Sequence, residues 1–160
     1  MTLREFFLER LAAETPVFLK VLRSLPADGI DYRPHERSPS AGQVVWTLTL
    51  EMVAAAAVAR EHQAEWKTPP QPPLEEMTAL FERSAGELAE RVASLDEAGW
   101  DRPARFYYGG KMVSEQPAGQ FLWFILFDAI HHRGQLSAYL RPMGGKVPSI
   151  YGPSADEPSA

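Results

Sequence analysis

The stretch Pro117-Ala-Gly-Gln-Phe-Leu-Trp-Phe-Ile-Leu-Phe-Asp-Ala-Ile-His-His-Arg-Gly-Gln-Leu-Ser-Ala-Tyr-Leu-Arg-Pro-Met143 decides the fold. Leu122, Ile125, Ala129, His132, Leu136 and Tyr139 step by three or four, which is the period of a helix with one buried face. Proline near the start is favourable because the first helical amides need no partner. Gly144-Gly145 supplies the stop. The pattern predicts a long helix over 117–143, with His132 in the middle of its apolar stripe. The apolar run 121–127 covers more than one face, so the helix is either enclosed or shared with a second copy of the chain. We therefore expect a homodimer with these aromatic residues among its contacts.

Working outward, clusters of proline cut the rest of the chain into three more helical segments. The first covers 3–25, with Phe6, Leu11, Val17, Leu22 and Leu25 as apolar positions and Pro16 as an expected kink or break. The second covers 40–66, opened by a capping box in Ser40-Ala-Gly-Gln43. The third covers 74–95, after the extended connector Pro69-Pro-Gln-Pro-Pro73. The stretch 101–114 carries Gly109-Gly110 and reads equally as a short hairpin or an irregular loop. Four long helices around one core predict an all-α, four-helix bundle with long loops and a Pro-rich C-terminal tail. The 160 residues suit one domain over 1–160 and are too few for two good cores.

Composition removes several functions. There is no cysteine, so disulfides, thiolate metal sites and cysteine nucleophiles are excluded. The formal net charge is −5 and no basic block stands out, so no nucleic-acid partner is expected. No run of about 18 apolar residues occurs, so no membrane partner is expected either. The amphipathic start Met1-Thr-Leu-Arg-Glu-Phe-Phe7 lacks a signal-peptide core, which leaves the cytoplasm as the expected compartment. No G-x-S-x-G, P-loop, G-x-G-x-x-G or H-E-x-x-H is present.

Chemistry concentrates on two apolar stripes. Asp128 stands four residues before His132, so the two are stacked neighbours able to aim a carboxylate and an imidazole at one divalent ion. The same spacing equally fits a core histidine hydrogen-bonded to that aspartate. On the second helix Val44, Leu48, Glu51 and Ala55 share a face, which puts a carboxylate on an apolar stripe. Glu51 could pair with His132, complete a three-residue metal site, or reach water at the stripe edge. His131 points about 100 degrees away from His132 and is not a candidate for the same site. His35 and His62 read as surface or packing residues, and Arg133 as a partner for a carboxylate other than Asp128.

His131-His-Arg-Gly-Gln-Leu-Ser-Ala-Tyr-Leu-Arg141 followed by Val147-Pro-Ser-Ile-Tyr-Gly152 closely resembles the C-terminal signature of the DinB/YfiT-like family, the damage-inducible bundle proteins. Val21-Leu-Arg-Ser-Leu-Pro26, Tyr32-Arg-Pro-His35 and Ser40-Ala-Gly-Gln-Val-Val-Trp46 look like further family segments in order. The resemblance implies a four-helix bundle, commonly dimeric, with a nickel or zinc ion on three histidines. It also implies a metal-dependent enzyme of hydrolase type or a transferase using a low-molecular-weight thiol, linked to stress or damage response. This chain departs from the pattern, with Thr47 and Asp128 where two of the histidines are expected. Only His132 matches. Glu51, Asp128 and His132 are then the expected metal ligands of a weakened site. The alternative is a metal-free, non-catalytic dimeric bundle.

Overall fold

Five helices and a small sheet make up the computed structural model, which describes residues 1–158. Helix α1 (Leu3–Arg23) opens on Thr2, whose side chain caps Glu5 in a reciprocal capping box. Its buried face is Phe7, Leu11, Glu14, Phe18 and Leu22. Phe6 and Val17, expected in the core, sit one residue off that face and remain partly exposed. Pro16 does not break the helix. The proline and the Ala12 carbonyl it leaves unbonded both face solvent, where water can take the lost bond.

Helix α2 (Ala41–Glu61) begins with the expected capping box of Ser40 and Gln43. It is the central helix, packed against the helices Leu74–Ser94 and Ala118–Leu140 and the strand Gln63–Trp66, and 78% of its most apolar stretch is buried. That burial explains why a helix apolar enough in composition to span a membrane serves here as core. It ends five residues before the expected Trp66. His62 adopts a left-handed conformation (φ 53°) and its Nε2 meets the Gly99 carbonyl at 2.8 Å. The chain continues instead as strand β1 (Gln63–Trp66).

Helix α3 (Leu74–Ser94) matches its predicted span and buries Met77, Phe81, Leu88 and Val92. A short α4 (Glu97–Asp101), capped by Asp96, was not foreseen. Its Trp100 lies so close to the helix Ala118–Leu140 that any Cβ on Gly119 would fall 2.2 Å from the indole, so that position requires glycine. Strands β2 (Pro103–Tyr108) and β3 (Lys111–Pro117) form the hairpin. Gly109 and Gly110 both take positive φ, 57° and 74°, as a tight turn of primed type demands. β2 also pairs in parallel with β1, giving a three-stranded sheet in the order β1-β2-β3. The all-α expectation is thus corrected to a mostly helical fold carrying a sheet.

Helix α5 (Ala118–Leu140) is the decisive segment, and it stops three residues before Met143. The four long helices enclose one hydrophobic cluster, with α1 and α2 each packed against both α3 and α5. The aromatic run divides by face. Phe121, Leu122, Ile125 and Leu126 are buried, while Phe124 and Phe127 are exposed. The Pro-rich C-terminal segment is not a free tail. It folds back, with Tyr151 reaching Glu14 on α1 and Asp156 accepting from Arg141 and the Val147 amide.

Candidate metal centre

The centre of the α5 stripe is Arg133 rather than His132. Both lie three or four residues from Ala129 and Leu136, so spacing alone does not separate them. Arg133 is buried to 2% exposure, while His132 turns to the edge of the stripe. That edge faces α2, where Glu51 projects from a helix buried on almost every side. His132 Nδ1 lies 2.9 Å from Glu51 Oε1. The three predicted residues do come together. Glu51, Asp128 and His132 each offer a ligand atom within 4.8 Å of the others.

The contact is short but unaligned. The ring N–H direction misses the carboxylate, and both His132 Nδ1 and Glu51 Oε2 are buried without a hydrogen-bond partner. Such groups are costly to bury unless something else satisfies them. The donor set of two carboxylates and one imidazole suits a divalent cation, and harder ions better than three imidazoles would. By its unsatisfied atoms and its chemistry the cluster fits a metal ion.

Electrostatics point the same way. Burial pushes the Glu51 carboxyl up to about 7, against the lowering pull of His132 and with Asp128 adding to the rise. His132 is raised above its ordinary value by its contact with Glu51, against the opposing effect of burial. The two side chains lie at contact distance, so protonation belongs to the pair rather than to either residue alone. A buried, strongly shifted carboxyl in a cleft is a marker of functional sites.

The cluster forms the floor of a pocket of about 240 Å³. Thr47, Glu51 and Ala54 come from α2, Trp66 from β1, Phe106 from β2, and Phe124, Ile125, Asp128 and His132 from α5. Thr47 and Asp128, the positions where histidines were expected, both line this pocket. Trp66 and Phe106 were missed as site residues because a helix was expected through Trp66 and residues 101–114 were left open. A wider depression of about 440 Å³, around Glu61, Gln63 and Glu65, holds no comparable cluster.

The other histidines stand apart. His131 is exposed, with its ring edge-on to that of His132. His62 caps α2, and His35 Nδ1 accepts from the Arg37 amide on the surface. Arg133 pairs with Glu14, with Nη1 donating to Oε2 at 2.5 Å, while its guanidinium stacks over Phe18 and Tyr151. Glu14 was missed as a partner. The signal was present, since Glu14 stands three residues after Leu11 and four before Phe18 on the buried face.

Comparison with known proteins agrees with this architecture. A DinB-like protein from Bacillus cereus ATCC 10987 superposes with a TM-score of 0.75 at 20% identity, covering 92% of this chain and 97% of its own. A second, the DinB-like protein YjoA of Bacillus subtilis, gives 0.67 at 20% identity over 88% and 93%. At that identity the likeness concerns the fold alone. In sequence the chain is 23% identical over 154 residues to the uncharacterized protein YrdA of Bacillus subtilis (strain 168), covering 96% of this chain and 90% of that protein. The DinB family model matches residues 2–159, nearly the whole chain, and with it this protein belongs to the DinB family.

Proposed function

We propose that this protein is a metal-dependent enzyme whose ion is held by Glu51, Asp128 and His132. The observation that carries the reading is the pair of buried, unpartnered atoms, Glu51 Oε2 and His132 Nδ1, on the floor of a pocket. A bound divalent ion would supply Lewis-acid polarisation of a substrate oxygen. Glu51 and His132 would bind it from opposite sides of the α2–α5 seam, and Asp128 would add a second carboxylate. Ligation requires both carboxylates ionised and the imidazole neutral, so binding strengthens as pH rises through about 7. Trp66, Phe106 and Phe124 would hold the apolar part of a substrate beside the ion. Of the two reaction classes that kinship suggests, hydrolysis suits this pocket better. It has no lysine or arginine to hold the carboxylates of a low-molecular-weight thiol. A role in stress response and a single catalytic domain are part of the same proposal.

A metal-free, non-catalytic bundle is the second reading, and one observation favours it. The 2.9 Å approach of His132 to Glu51 lets the two side chains neutralise each other without an ion. Calorimetric titration of tag-free, chelator-treated protein with Zn²⁺, Ni²⁺ and Mn²⁺ separates the two. The enzyme reading expects one equivalent bound, lost in His132→Ala and retained in His131→Ala. No binding of any of the three ions supports the second reading.

Either form is proposed to be a homodimer. Leu3, Phe6 and Phe127 leave an apolar patch at one end, with Trp123 stacked between Phe6 and Phe127. Light scattering should give a dimer for the native protein and a monomer for Phe127→Asp.

A further inference from the structure

We propose that the pocket above Glu51, Asp128 and His132 selects a small uncharged aromatic molecule with one polar end, and rejects anions. The inference deepens the metal-centre reading and rests on it for the polar end. Its own ground is the distribution of charge around the cavity. Every charged or titratable group lies on the floor, and all three belong to the cluster. The rest of the lining is Thr47, Ala54, Ile125 and the rings of Trp66, Phe106 and Phe124, so its one other polar side chain is an uncharged hydroxyl. No lysine or arginine lines the cavity.

An ionised substrate group entering this space loses its hydration and meets no counter-charge on the walls. On the floor, two carboxylates offset the formal charge of a divalent ion, so the loaded centre exerts no long-range pull on an anion to offset that lost hydration. A neutral hydroxyl or carbonyl escapes both costs and still has a lone pair to present. The three rings come from three different elements, β1, β2 and α5, and Phe106 packs on Phe121 outside the cavity lining, so the aromatic surface facing the cavity is open to a guest ring. A cavity of roughly 150 Å³ accommodates benzene, so 240 Å³ takes one substituted ring. A second apolar cavity of about 350 Å³ adjoins it, sharing Phe106, Phe124 and Ile125, and gives room for a substituent.

The test uses benzyl alcohol, benzoate and benzylamine as probes of equal size and different charge. Each is titrated into zinc-loaded and chelator-treated protein, with binding followed by saturation-transfer NMR and by tryptophan quenching. Trp66→Phe assigns the quenched residue. Benzyl alcohol should bind the zinc-loaded protein about tenfold tighter than either ion, as the lost solvation of a buried charge requires. Phe124→Ala should weaken that binding, and the variant should fold because Phe124 is already exposed. Equal or tighter binding of benzoate or benzylamine to the loaded protein overturns the inference. So does failure of all three to bind, or quenching that survives in Trp66→Phe. The two readings fail separately. If zinc does not bind but benzyl alcohol still prefers this pocket, the metal centre falls and the selectivity stands. If zinc binds through His132 and benzoate wins, the metal centre stands and the selectivity falls.

Discussion

Glu14 and Glu51 are buried to nearly the same degree, 6% and 5% exposed, yet their surroundings treat them in opposite ways. Glu14 is met on both oxygens. Arg133 donates to Oε2, and the Tyr151 hydroxyl lies 2.9 and 3.0 Å from the two oxygens. The cation is itself enclosed by two aromatic faces, and a second Arg133 nitrogen bonds Tyr151. Glu51 has one short, misaligned contact with a histidine, a second carboxylate nearby, and a free buried oxygen. The difference teaches that burial of a carboxylate does not by itself mark a reactive site. A matched charge joins parts of the fold, here α1, α5 and the C-terminal segment. An unmatched charge beside a cavity retains capacity to bind something else.

The sharpest way to break this comparison is to unmatch Glu14. Arg133→Ala should cost about 3–5 kcal/mol, because it leaves a buried carboxylate alone. Chemical denaturation measures the loss, and replacing the whole pair, Glu14→Leu with Arg133→Met, should recover most of it. Loss below about 1 kcal/mol for Arg133→Ala would mean that Glu14 is hydrated in solution.

The next effect concerns pH. Glu51 and His132 are both raised in the folded chain, so folding takes up protons there. The stability Glu51 contributes is complete below its ordinary value of 4.5 and is lost as pH rises through about 7. The contribution of His132 is likewise complete below 6.5 and fades at higher pH. For Glu51 the full swing is about 3 kcal/mol. Metal-free protein should therefore unfold more easily at pH 8 than at pH 5.5, and Glu51→Gln should flatten that slope. An unchanged slope in the variant would show that the carboxyl is not desolvated.

Metal should reverse the trend. Zinc at about one hundred times its dissociation constant adds about 2.7 kcal/mol to the form that binds it. Thermal melts should show this gain at pH 8, less of it at pH 5.5, and none in His132→Ala. Thr47→His with Asp128→His should bind zinc or nickel more tightly than the native chain, since both positions line the pocket.

The smallest effect belongs to the matched centre. Tyr151→Phe removes one hydroxyl from Glu14 and should cost about 1 kcal/mol. It should also speed proteolysis of the C-terminal segment without altering metal binding. A change in metal affinity would mean that the two centres are coupled.

Much of this molecule was legible in local pattern. The four long helices follow from apolar periods of three and four, and the capping box at Ser40 marks the start of α2. Gly109-Gly110 marked the hairpin as one of two readings, and the positive φ values show why two glycines sit there. Glu51 and His132 were placed on apolar stripes by their period, and Asp128 by its spacing of four from His132; the spacing survives folding because it is local, whereas the period left His132 and Arg133 indistinguishable. Strand β1 was hidden because Gln63-Ala-Glu-Trp66 has no local feature that forbids helix. Its conformation depends on β2, which pairs with it from some 40 residues downstream (Gln63 with Arg105).

By itself the sequence determined which four segments form the long helices, which residues could share a face, and that the candidate ligands are carboxylates and one imidazole. Those are consequences of spacing and side-chain chemistry within one segment. Tertiary structure decided which of His132 and Arg133 would occupy the core, because two adjacent residues fit the same helical period until a partner is chosen. Glu14 on α1 took the arginine and Glu51 on α2 took the histidine. The sheet then placed Trp66 and Phe106 over the second pair. Each of these outcomes joins residues from distant parts of the chain, and such pairings exist only after the elements pack.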